Sequence, residues 1–156
     1  VLKIDATDRR LLEMLQENAK MGVKTMAERL KISKTPIYER MKRYERDGII
    51  DRYVAVINRR KLSSSMVVFC SVSLDSQKLE EITAFSEAVR EIPEVLECYL
   101  MGGANDFLLK VVVADLQAYH EFSSGKLAAL PNVAQIKSTF VLNEVKRSTV
   151  FPLLGA

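Results

Sequence analysis

Nine residues in one stretch have the types and spacing to read a nucleic acid: Ser33, Lys34, Thr35, Pro36, Tyr38, Glu39, Lys42, Arg43 and Arg46. On a helix, at about 100° per residue, Thr35, Tyr38, Glu39, Lys42 and Arg46 share one side, with Lys34 and Arg43 on its flanks. Ile37, Met41 and Tyr44, spaced by four and three, form an inward stripe on the other side. The N-terminal residues of such a helix enter the major groove, so Lys34, Thr35, Tyr38, Glu39 and Lys42 are candidates for base edges. Ser33, Arg43 and Arg46 are better placed for phosphates.

A second constellation is Met101-Gly102-Gly103-Ala104-Asn105-Asp106. Taken alone it reads as a hairpin turn that uses glycine where φ must be positive. It also has the chemistry to hold a zwitterion. Glycines let a ligand approach backbone N–H donors, which suit a carboxylate, and the Asp106 carboxylate suits an ammonium. Met101 and its apolar neighbours favour an apolar side chain such as leucine or methionine. Elsewhere the chemistry is sparse. Cys70, Cys98 and His120 offer no zinc spacing, no nucleophile constellation is legible, and no glycine-rich phosphate loop is present. Neither a metal nor a cofactor is expected, and Cys70 and Cys98 are expected to be buried, reduced thiols.

The elements that must position the first constellation are helices. Asp5 can cap a first helix over 2–20, with Asp8 near its N-terminal dipole and Leu11, Leu12 and Leu15 inward beside Leu2 or Ile4. Thr25–Leu30 makes a second helix that groups Met26, Ala27 and Leu30. Lys31-Ile32-Ser33 is the turn, with Ile32 plugging the junction. Ser33 caps the third helix, Thr35 being the rival cap with Pro36 in the first turn, and Gly48 ends it. A short helix, a tight turn and a longer basic helix form a helix-turn-helix motif, here from Val23 to Lys42. An ordinary helical hairpin with a solvated basic face has the same spacing.

After Gly48 the pattern turns β-branched, and 49–57 reads as a strand leaving this domain. Asn58-Arg59-Arg60-Lys61 and Ser63-Ser64-Ser65 form a connector. Then come a strand at 66–74 and a helix capped by Asp75 or Ser76, with Leu79, Ile82, Phe85, Val89 and Ile92 inward. Strands at 95–101 and 106–113 follow, then a helix marked by Leu116, Tyr119, Ser123, Leu127 and Leu130 and weakened by Gly125. A final strand spans 133–145, and a tail runs through Leu153 and Leu154. The order βαββαβ predicts a ferredoxin-like sheet with the first and third strands central and both helices on one face. Cys70 and Cys98 would then lie two strands apart, too far for a disulfide. Both sheet faces carry apolar residues (Val67, Phe69, Leu108 and Val112 on one of them), so a second copy is expected to cover the face without helices.

Composition agrees with two modules. Through Leu62 there are 16 Lys and Arg against 9 Asp and Glu, a net of +7, and from Ser63 onward the balance is 7 against 11, a net of −4. The basic half suits phosphate attraction. With 156 residues, 48% hydrophobic, no apolar run near the roughly 20 residues of a membrane span and no secretory leader, the chain is expected to be cytoplasmic. Opening on Val1, it is also expected to lack some native N-terminal residues.

Asp5-x-x-Asp8-x-x-Leu11-Leu12, then Leu30-x-x-Ser33-x-x-x-Ile37-x-x-Arg40-x-x-x-Tyr44-Glu45-x-x-Gly48-Ile49-Ile50, resembles the Lrp/AsnC (feast/famine) family of transcriptional regulators. Val95-Leu96-Glu97-Cys98-Tyr99, Gly103-x-x-Asp106-Phe107-Leu108-Leu109-Lys110-Val111 and Leu142-x-Glu144-Val145-Lys146 are similar to that family's sensor domain. The resemblance covers nearly the whole chain. It implies an α+β protein in three parts: a helix-turn-helix (winged-helix-like) DNA-binding domain at 1–50, a hinge strand and linker at 51–65, and a ferredoxin-like effector-binding and oligomerisation domain at 66–156. It also implies partners: double-stranded DNA, a small effector such as an amino acid held on the Gly103 and Asp106 motif between dimers, and further copies of the chain, as a dimer assembling toward an octamer. Tyr44 departs from the family's usual leucine, and Asn105 from a frequent aromatic. The other readings are an architectural DNA binder without effector and a small ferredoxin-like enzyme, the latter disfavoured by the absence of a catalytic set.

Overall fold

Asp5 and Asp8 cap each other at the start of the first helix. The Asp5 carboxylate accepts from the Asp8 N–H at 2.7 Å, and the Asp8 carboxylate accepts from the Asp5 N–H at 3.0 Å. This satisfies first-turn donors that have no partner inside the helix. The first helix, α1, spans Ala6–Glu17, three residues shorter at its C-terminal end than the 2–20 expected, because Asn18 is extended (φ −151°). The structure, a computed structural model, describes residues 3–62 and 65–153. Leu2, Ser63, Ser64 and Leu154, which enter the expectations above, lie outside them.

Two further helices complete the first core: α2 (Val23–Leu30) and α3 (Lys34–Arg46). Leu11, Leu12, Leu15, Met26, Ala27, Ile37 and Tyr44 are buried together, and Ile32 packs against them as expected. Full burial of an aliphatic side chain is worth roughly 1.5–3 kcal/mol, so the inward stripes account for the helices' association. Lys31 takes a left-handed conformation (φ 56°) to make the turn, and Gly48 does the same (φ 68°) after α3. The chain divides into two compact units, Val1–Val56 with Val145–Ala156, and Ile57–Glu144. The tail therefore clusters with the helical unit. The Phe151 N–H donates to Gln16 Oε1 at 2.5 Å, Gln16 Nε2 donates back to the Phe151 carbonyl at 3.2 Å, and Leu153 packs on the helical core.

The second unit contains β1 (Met66–Leu74), α4 (Leu79–Arg90), β2 (Val95–Leu100), β3 (Phe107–Val113), α5 (Leu116–Phe122) and β4 (Val133–Phe140). All strand pairs are antiparallel, in the order β2-β3-β1-β4, so β1 and β3 are central as expected. Val68, Cys70, Val72 and Leu74 of β1 and Phe107, Leu109, Val111 and Val113 of β3 form one core with Phe85, Val89, Tyr119, Phe122 and Leu127. The Phe85 and Phe107 rings lie 4.4 Å apart at its centre. By alternation, Val67, Phe69, Leu108 and Val112 point to the other face. That face also carries a polar pair, Lys110 on Glu97 at 2.8 Å.

Several local expectations change. Residues 51–58 belong to no strand ladder, since a strand is defined by pairing and their β-branched composition supplies no partner. Val54, Val56 and Ile57 are exposed there. A short 3₁₀ turn, Arg59–Lys61, follows. The α4 N-cap is Lys78, without a side-chain bond, rather than Asp75 or Ser76, and Leu79 is exposed because it is the helix's first residue. After Phe122 the backbone widens into a π turn, Ser123–Leu127, with the Ala128 N–H reaching the Ser123 carbonyl. Tyr119 and Leu127 are buried as the stripe requires, Phe122 is buried with them, and Leu116, the first residue of α5, stays exposed. Strand β4 ends at Phe140 instead of running to 145. Its partner β1 begins only two residues before Val68, which pairs with Phe140, so beyond the Val141 N–H bond to the Val67 carbonyl it can offer at most Met66 and nothing for 143–145.

Candidate functional site

Ser33 is the N-cap of α3, as its sequence predicts, but its hydroxyl makes no capping bond, and the helix begins at Lys34 rather than Pro36. Lys34, Thr35, Pro36, Tyr38, Glu39, Lys42 and Arg46 are all exposed, while Ile37 and Tyr44 are fully buried. The helix therefore presents the expected face. On it, the Lys42 ammonium lies 4.7 Å from the centre of the Tyr38 ring, so a cation and a phenol are offered together. Arg46 pairs with the neighbouring Asp47 at 2.8 Å and remains largely exposed.

Arg43 differs from the expectation. Its guanidinium is turned onto Asp8, with Nη2 2.7 Å from Oδ1. Asp8 is, among the described residues, the one buried charged side chain, and its Oδ1 also accepts from Arg40 and, at 2.5 Å, from the Tyr44 hydroxyl. Arg40 reaches Asp5 as well, at 2.8 Å. Burial opposes ionisation of Asp8, but hydrogen bonds from Tyr44, the Asp5 backbone, Arg40 and Arg43 outweigh it and hold the carboxyl well below the usual range. Burial and the Asp8 bond push the Tyr44 phenol up. This cluster fixes α3 on the start of α1, and so aims the exposed face. The sequence contained one signal of it: a phenol on an inward stripe requires a buried acceptor.

The loop between β2 and β3 is the second candidate. Met101, Gly102, Gly103 and Ala104 are exposed, and Asn105 and Asp106 half-buried. The Met101 N–H closes the turn onto the Asp106 carbonyl at 2.8 Å. The Asp106 carboxylate is engaged within the unit: it accepts from the Leu74 N–H at 2.7 Å and from Gln77 at 3.4 Å. Asn105 accepts from the Ser73 hydroxyl at 3.4 Å. Neither Gly102 nor Gly103 has a positive φ, contrary to the hairpin expectation, and a Cβ at either would meet nothing within 4 Å. The turn itself does not require glycine.

Cys70 and Cys98 are both free. Cys70 is buried against the Tyr119 hydroxyl at 3.2 Å, and that hydroxyl also contacts Ser138. Burial pushes both thiols up, away from the thiolate form. Among the described residues, no group of three or more His, Cys, Asp and Glu is placed to hold a metal. No helix there is long and apolar enough to cross a membrane.

Comparison with known proteins supplies the rest. Residues 4–45 match the model of the AsnC-type helix-turn-helix domain, and residues 67–151 that of the Lrp/AsnC ligand-binding domain. The Bkd operon transcriptional regulator of Pseudomonas aeruginosa is 35% identical, with 97% of this chain and 99% of that one covered. Among solved structures, an AsnC family transcriptional regulator from Agrobacterium tumefaciens is 37% identical, with a TM-score of 0.89 and coverage of 96% and 97%. A transcriptional regulator from Neisseria meningitidis, solved as a complex with L-methionine, is 32% identical, with a TM-score of 0.91 and coverage of 97% and 98%.

Proposed function

This chain belongs to the Lrp/AsnC family of transcriptional regulators, and from that premise we propose that it binds duplex DNA through α3 and changes its DNA occupancy when the 101–106 loop takes up an amino acid. Lys34, Thr35, Tyr38, Glu39 and Lys42 read base edges. Ser33, Arg46 and Arg43 hold phosphates, with Pro36 shaping the first turn. It is a binding protein of the cytoplasm, not an enzyme.

The effector reading is carried by the two glycines. Nothing among the described residues demands them, by conformation or by space, so their use points to something that approaches the backbone from outside. An amino acid's carboxylate meets the exposed N–H groups there, and Asp106 lies beside them for the ammonium. The L-methionine complex of the Neisseria meningitidis neighbour supports an apolar amino acid as effector. The unit from 66 onward is also the oligomerisation module, pairing by the sheet face that bears Val67, Phe69, Leu108 and Val112 and assembling from dimer toward octamer. A ligand seated between dimers acts by its difference in affinity for alternative assemblies.

The experiment is calorimetry with a panel of amino acids on the wild type and on Asp106→Ala. Saturable binding of leucine or methionine, lost in the variant, supports the proposal. Binding by none, or binding unaffected by the variant, makes the loop a turn only.

A further inference from the structure

One oxygen, Asp8 Oδ1, accepts from three donors: Arg40 Nη1, Arg43 Nη2 and the Tyr44 hydroxyl. A carboxylate oxygen offers about two lone-pair positions, so one of the three donors is surplus. The three are not equally held. Tyr44 is fully buried. Arg40 is clamped a second time by Asp5, and its side chain is only 25% exposed. Arg43 has Asp8 as its single ion-pair partner among the described residues, and its side chain is 36% exposed, the most of the three. It also lies on the flank of the face that α3 presents.

We propose that Arg43 is a releasable arm: in the free protein Asp8 holds its guanidinium in place, and on docking the guanidinium transfers to a DNA phosphate. Arg40 and Tyr44 stay behind and keep the carboxylate paired, so the exchange leaves no buried charge uncompensated. Asp8 is then a positioning residue that competes with DNA for one arginine. Asp8 is buried but the Arg43 end of the pair is partly exposed, so the guanidinium can leave through solvent, and a phosphate replaces the contact with a charge-assisted bond of the same kind. The proposal rests on the reading of α3 as the DNA-contacting helix and adds to it a defined exchange.

The test measures duplex affinity over a series of salt concentrations for the wild type, Arg43→Ala, Asp8→Asn and the double variant, with Lys34→Ala as control. Arg43→Ala is expected to lower the slope of log affinity against log salt by about 0.9, the value for one phosphate. Asp8→Asn is expected to tighten binding to every duplex about threefold, and to do so only while Arg43 is present. The double variant therefore separates release of the arm from a general gain in positive charge. An unchanged slope in Arg43→Ala means the arginine never leaves Asp8, and overturns the proposal. Equal tightening by Asp8→Asn with and without Arg43 overturns it as well. If Asp8→Asn fails to fold, the Arg43→Ala slope alone decides. If the wild type shows no salt-dependent duplex binding, the reading of α3 falls and the arm with it. If Lys34→Ala alters sequence preference while the Arg43→Ala slope is unchanged, only the arm is lost.

Discussion

The Tyr44 hydroxyl donates to Asp8 Oδ1 at 2.5 Å, joining α3 to the cap of α1 across 36 residues. Asp8→Ala leaves Arg40 and the Tyr44 hydroxyl without their shared acceptor and is expected to cost about 3 kcal/mol. Tyr44→Phe removes one bond to a charged group while both arginines remain, and is expected to cost about 1.5 kcal/mol. Because the folded pKa of Asp8 is depressed, its stabilisation is fully present above the ordinary aspartate range and is lost as pH falls through the folded value. Chemical denaturation of the wild type and Asp8→Ala between neutral pH and pH 2 should show their difference shrinking toward acid. A constant difference would assign the cluster's value to packing instead.

Base reading and phosphate contact separate by mutation. Tyr38→Ala and Lys34→Ala are expected to change the preferred duplex sequence, Tyr38→Ala also removing the ring under Lys42. Arg46→Ala is expected to weaken all duplexes alike and to lower the salt slope by about one phosphate. Binding selection on randomised duplexes checks both. An unchanged preference in the first two variants would remove α3 from the major groove.

Much of this arrangement is legible in the sequence because its period is regular. The alternation in Val68, Cys70, Val72 and Leu74 and in Phe107, Leu109, Val111 and Val113 predicts both central strands and groups the residues of each face, but not which face the helices cover. The stripe Ile37, Met41 and Tyr44 likewise fixes the presented face of α3. What escapes reading depends on partners distant in sequence. By helical position Arg43 is expected to lie free for a phosphate, yet Asp8, 35 residues earlier, turns its guanidinium inward. The run from 49 has the composition of a strand, but composition supplies no ladder partner. The stripe through Tyr119 and Leu127 is buried as its spacing requires, but Leu116, at the start of the helix, is exposed, and the spacing does not announce the π turn at 123–127.

The sheet face opposite the helices offers a test of pairing. Phe69 and Leu108 are half-buried there beside the Lys110–Glu97 pair. The wild type is expected to sediment as a dimer at micromolar concentration and Phe69→Glu as a monomer, with the helical content unchanged. A wild type that sediments as a monomer would refute the pairing.

The tail supplies a stability prediction. Gln16 clasps both backbone groups of Phe151, at 2.5 and 3.2 Å, at an exposed site. Gln16→Ala is expected to cost about 1 kcal/mol or less, since each bond exchanges with water. Proteolysis should then cut the tail near Phe151 faster than in the wild type. Equal cleavage rates would mean the clasp does not hold the tail in solution.

The most direct test of the whole account is a footprint on the protein's own promoter at rising concentrations of L-leucine or L-methionine. Protected segments are expected to recur at about one helical turn or multiples of it, as two recognition helices related by a twofold axis require. Their extent or affinity is expected to change with the amino acid in the wild type and not in Asp106→Ala. No protection at low salt, or a footprint indifferent to every amino acid in the panel, would contradict an effector-controlled DNA-binding regulator.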